Sequence, residues 1–122
     1  MRDPREILAR IRAQADAATE GPWTAEYSGE QGNCVLPPGY QSTREAVAVT
    51  RLLSAQADAE FIAAARTTVP ALLDLAEAVL KRHVEGRTFH GHGFSQRMCE
   101  CGANWPCPDY TAATTALEAH HA

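Results

Sequence analysis

"SAQADAEFIAAARTTVPALLDLAEAVLKRHVEG", residues 54–86, carries the densest helical pattern in the chain and decides the fold class. Ser54 can cap its start, and Phe61, Ile62 and Ala65 then recur at helical spacing. "TTVP" at 67–70 predicts a break, because proline lacks a backbone donor and crowds the turn before it. Thr68 can cap the next helix, with Pro70 in a first turn where a missing N–H costs little. Leu72, Leu73, Ala76, Val79 and Leu80 make a second apolar stripe, and Gly86 reads as its stop. Two helices are therefore expected here.

Upstream, "DPREILARIRAQADAA" (3–18) has the signals of a helix start. Asp3 can cap, Pro4 suits the first helical position, and Glu6 completes a capping box. Ile7, Leu8, Ile11 and Ala15 share one face, and Gly21 and Pro22 end the run. Between Trp23 and Thr50 the texture changes to short extended runs, "WTAEYS", "NCVLP" and "EAVAVT", divided by turns such as "PPGY". The expected fold is α+β: an N-terminal helix, a small antiparallel sheet of two or three strands, two further helices, then a C-terminal zinc-knuckle-like module. Residues 1–86 form the expected scaffold and 87–122 the module and tail.

A chain of 122 residues fits one compact core without needing cross-links. The charged start "MRDPREILAR" is unlike a secretory leader, and no apolar run approaches a membrane span. A cytoplasmic protein with no membrane partner is expected. The net charge of −4, with no lysine or arginine cluster beyond Arg2, Arg5, Arg10 and Arg12, which Asp3, Glu6 and Asp16 offset, weighs against nucleic acid as a partner.

In a reducing compartment, cysteines bunched near histidines point to a metal rather than to disulfides. "HGHGFSQRMCECGANWPC", residues 90–107, holds two histidines and three of the four cysteines. Zinc in structural sites takes four nitrogen or sulfur donors in a tetrahedron. Cys99, Cys101 and Cys107 supply three. The fourth falls to His92, which gives the shorter loop, with His90 as the alternative. Gly102 lets the chain turn so that amides face the sulfurs. Trp105 and Pro106 can shield them. His83 reads instead as a solvated histidine at a helix C-terminus, His120 and His121 as tail residues, and Cys34 as a small buried apolar residue.

Four protein donors saturate the ion, so the zinc is expected to be structural. Glu100 lies between two ligands and points away from the metal. No deaminase or His-Glu-x-x-His pattern is present. Asp58 and Glu60 do not share a helix face, and Asp74 and Glu77 read as solvated surface. No catalytic residue is expected, and the protein is not expected to be an enzyme.

"ATEGPWTAE" (18–26) and "DAEFIAAARTTVPALLDLAEAVL" (58–80) resemble the Ead-type small accessory proteins of bacteriophages, especially those of actinobacteria. The resemblance spans roughly residues 5 to 84, with Glu20 where a proline is frequent. The ending "CECGANWPCPD" (99–109) resembles a recurrent actinobacterial and phage tail of Cys, Cys-Gly and Trp-Pro-Cys, here with a compressed Cys-x-Cys. The resemblance implies phage origin and action in the host cytoplasm but no biochemical activity.

The expected function is thus a noncatalytic protein–protein interaction with a host or phage protein. Trp105, Tyr110 and Tyr40 are candidate contact residues. The alternative is a small zinc-containing nucleic-acid regulator. Self-association is left open.

Overall fold

The computed structural model describes residues 3–29, 32–51, 53–91 and 93–120. It is α+β, as the sequence predicts. In chain order it holds α1 (Pro4–Ala17), β1 (Thr24–Gly29), β2 (Gly32–Leu36), a 3-10 turn (Thr43–Glu45), β3 (Ala48–Thr50), α2 (Ala55–Arg82), β4 (Glu85–Gly91), β5 (Phe94–Cys99) and α3 (Pro108–His120). Among the described residues, no helix is long and apolar enough to cross a membrane. The chain packs into two units, one from residues 12–72 and one from residues 1–11 with 73–122.

The 12–72 unit is built on an antiparallel sheet of order β1-β2-β3. Ala25 faces Val35 in the first pair, and Cys34 faces Val49 in the second. Val35, Ala59 and Ala63 form the buried centre, with Trp23, Ala48 and Ile62 packed against it. Cys34 is fully buried, as expected of a small apolar residue. The Trp23 ring N–H donates to the Thr19 carbonyl at 3.0 Å, and Arg66 Nε donates to the same oxygen at 2.9 Å. The guanidinium lies 5.8 Å from the Trp23 ring centroid, a cation–π distance. A Cβ on Gly21 would sit 2.7 Å from Arg66 Cγ, so the Gly-Pro-Trp glycine makes room for this bracket.

The other unit begins with the expected cap. Asp3 accepts the Arg5 amide at 2.9 Å through its carboxylate, and its carbonyl accepts from Glu6 at 3.0 Å. Arg5 holds the Asp3 carboxyl below its ordinary pKa by hydrogen bonding. Ile7, Leu8, Leu73 and Leu80 are buried.

Two helical expectations change. The break at "TTVP" is absent, and α2 runs as one helix of 28 residues with Pro70 inside it. Proline's fixed φ suits a helix, and good helix formers with buried anchors stand on both sides: Ala59 and Ala63 before it, Leu73 and Leu80 after it. The helix also ends at Arg82, before Gly86, which lies in β4. A Cβ on Gly86 would come within 2.9 Å of the Glu100 carboxylate, the free end of a side chain that can swing aside. Of the expected stripe, Leu73 and Leu80 are buried, whereas Leu72 and Val79, one position earlier in each case, are exposed.

Candidate metal centre

The site grows from the connection after α2. The helix stops at Arg82, His83 comes next, and the chain turns straight into β4. β4 and β5 pair antiparallel, with Gly91 facing Phe94 at the tip and Glu85 facing Cys99 at the base. Gly93 at the tip has φ +83°, which glycine adopts without strain. Arg97 pairs with Glu85 across the hairpin. The second strand therefore returns Cys99 to the helix end it started from, beside His83.

Beyond β5 the chain forms a tight knuckle. Cys99 N–H donates to the Ala103 carbonyl at 2.8 Å, and Gly102 N–H donates to the Cys99 carbonyl at 2.9 Å. Gly102 has φ +97°, so this turn needs a residue without a Cβ. Met98 and Asn104 bridge antiparallel, closing the turn. The Cys101 amide faces the Cys99 sulfur at 3.5 Å. Amides facing a sulfur are what the sequence predicts of Gly102.

Cys107 stands immediately before α3, with Pro108 at the first helical position. Its carbonyl accepts from Thr111 at 3.0 Å, and its sulfur accepts the Tyr110 amide at 3.4 Å. Cys107 thus caps α3 with sulfur in the place usually taken by a serine or aspartate oxygen.

These elements bring His83, Cys99, Cys101 and Cys107 together, with one donor atom from each within 4.8 Å of the others. His83 Nδ1 lies 3.3 Å from the Cys107 sulfur and 3.9 Å from the Cys99 sulfur. In a zinc tetrahedron with metal–sulfur bonds near 2.3 Å and metal–nitrogen bonds near 2.05 Å, the N–S edge is about 3.6 Å. The two distances bracket that edge. On the other side of the ring, His83 Nε2 stands 3.3 Å from the Asp109 carboxylate in the first turn of α3. Carboxylate, imidazole and thiolates form the sequence in which a metal-binding histidine is held in one tautomer by a second group. The donor set fits zinc.

The thiols have unequal environments. Burial pushes Cys99 up to about 11, against an ordinary value of 9.0. The Ala103 amide and then the Cys99 side chain draw Cys101 down to about 7. A divalent ion would deprotonate all three outright. Cys99 and Cys107 are buried, whereas Cys101 is exposed, and none of the cysteines is in a disulfide.

The reading of His83 is corrected. His83 is not a solvated helix-end residue: its side chain is only 15% exposed and belongs to the cluster. His90 lies in β4, where its Nδ1 is 2.9 Å from Ser95 Oγ on the facing strand. His92 and His121 lie outside the described residues. The reason is the hairpin register. His90 is five residues along β4 from Glu85, about 17 Å at strand rise, while Cys99 is opposite Glu85. His90, nearer to Cys99 in sequence than His83, is thereby carried to the far end. The alternation in "RTFHGHGFSQRMC" around a glycine turn was the signal that could have exposed this pairing.

Trp105 and Tyr110 stack at 4.5 Å between centroids with planes 50° apart, and both are half-buried. The Trp105 amide donates to the Arg97 carbonyl at 2.8 Å, anchoring the approach to Cys107 on the hairpin. Burial raises the Tyr110 phenol pKa, with the Asp3 charge adding to it. Tyr40, in the other unit, is exposed.

The fold and site define an α+β protein with a Cys3His cluster able to hold a metal ion. Comparison with protein-family models, curated proteins and solved structures returns no match for the chain.

Proposed function

We propose that this is a noncatalytic interaction protein whose C-terminal region is held by one structural zinc on His83, Cys99, Cys101 and Cys107. The observation that carries the metal assignment is the convergence of four suitable donors within 4.8 Å, one from the end of β5 and three from the connections after α2, after β5 and before α3. Four protein donors leave no position for water or substrate, so the ion contributes folding energy rather than Lewis-acid chemistry. Large apolar side chains left exposed, Tyr27, Tyr40, Leu53 and Phe61 in the 12–72 unit, support a role in protein contact. The phage setting and action in a host cytoplasm rest on the resemblance of residues 18–26 and 58–80.

The test combines metal analysis with affinity capture from a bacterial lysate. About one zinc per chain is expected in reduced protein purified without chelators. A protein should be captured whether or not nuclease is present. Zinc-free protein would remove the metal from this reading. Binding to nonspecific DNA that falls steeply with salt would favour the nucleic-acid regulator instead.

A further inference from the structure

The four donors are unequally sheltered. Cys99 and Cys107 are 3% and 0% exposed, and each sulfur receives a backbone amide. Cys101 is exposed and lies on an open cleft of about 610 Å³ shared with Lys81, Arg82, His83, Val84 and Glu100. A zinc ion with three thiolates and one neutral imidazole carries net charge −1, so its sulfurs remain nucleophilic. Only one of them meets the solvent.

We infer that Cys101 is the site at which peroxides attack this protein, and that its oxidation releases the metal. The inference rests on the zinc reading above and adds regulation to that site. The Cys101 thiolate attacks one peroxide oxygen, the O–O bond breaks, and hydroxide leaves with the electron pair, giving Cys101 sulfenic acid. The thiolate of Cys99 or Cys107 then attacks that sulfur, expels a second hydroxide and forms a disulfide. Two sulfurs lose one electron each, and hydrogen peroxide takes up both. The donor atoms are within 4.8 Å, so the sulfurs must close by no more than about 3 Å to reach bonding distance. Zinc loses two of four ligands and dissociates. The turn after β5 and the start of α3 lose their tie to His83 at the end of α2. A dithiol reverses the step.

Zinc-loaded protein is treated with one equivalent of hydrogen peroxide. Released zinc is followed with a chromogenic chelator, and each cysteine's state is read by differential alkylation and peptide mass. Cys101 is expected in the first oxidised species, with zinc release tracking a disulfide that includes it, and dithiothreitol with zinc restoring the start. Cys101→His replaces the exposed sulfur with a donor that peroxide does not oxidise. Its zinc affinity is measured first, and the zinc it holds should be released by peroxide at least about tenfold more slowly than from the parent. A first disulfide between Cys99 and Cys107 with Cys101 still alkylating would overturn the inference, as would unchanged release from Cys101→His. Protein found to lack zinc before treatment would refute the metal reading separately, and its alkylation order would still show whether Cys101 is attacked first.

Discussion

Removing the His83 ring is the most direct challenge to the metal centre. Structural zinc binds zinc-finger peptides with about 10–16 kcal/mol, or about 2.5–4 kcal/mol per donor when shared over four. At about 1.4 kcal/mol per tenfold, His83→Ala should weaken zinc binding roughly 60- to 700-fold. The lower half of that range is favoured by the surroundings. The partner left behind, Asp109, is 68% exposed and can return to water, so no buried charge is stranded. The His83 side chain is itself 15% exposed, which lets water reach the vacated position. Competition against a chromophoric chelator measures the affinity. Cobalt substitution adds an independent readout, since loss of the nitrogen donor alters the visible bands of a tetrahedral cobalt site. His90→Ala, which removes only a contact to Ser95, should bind zinc as the parent does. Normal affinity in His83→Ala together with loss in His90→Ala or His92→Ala would refute the hairpin argument and restore the shorter-loop ligand.

The same geometry sets three further outcomes. Asp109→Asn removes the charge that orients His83 and should cost about tenfold in zinc affinity, with Asp109→Glu recovering part of it in the same competition assay. Trp105→Ala breaks the stack with Tyr110, an interaction of about 0.5–1.5 kcal/mol beyond buried area, and should speed alkylation of Cys107 and lower the zinc-loaded Tm. In metal-free protein, Cys101 is lowered on folding, so its contribution is present above pH 9 and lost as pH falls through about 7. Cys99 is raised, so its contribution is full below pH 9 and lost as pH rises through about 11. Urea midpoints of the metal-free form should therefore peak near pH 9, and zinc should steepen the rise through neutrality, because the zinc-bound fold has given up thiol protons that the unfolded chain still holds; a monotonic metal-free curve would contradict one of the two shifts.

Much of the local structure was legible because it depends on neighbours in sequence. The Asp3 cap, the three extended runs that became β1 to β3, and the glycine in the Cys-x-Cys turn each express a backbone preference or a side chain reaching its own turn. Pro70 was misleading for the opposite reason. Its local cost is real, but anchors several residues away on both sides of α2 outweigh it. The adjacent apolar columns of α2 were equally ambiguous. Leu72 and Leu73 fit the same stripe on paper, and only packing selects Leu73.

The sequence by itself determined the kind of chemistry: three cysteines and an upstream histidine, a turn at Gly102, and an α+β chain to carry them. Tertiary structure decided which of the described histidines joins the cysteines. Ligation depends on position in space, and the β4–β5 register places Cys99 opposite Glu85, just past the end of α2, while carrying His90 to the hairpin tip. It also decided that Asp109 stands behind the imidazole and that Cys101 alone among the three clustered thiols faces water. Sequence separation, which makes His90 look nearer to Cys99 than His83, is reversed once two strands fold back on each other.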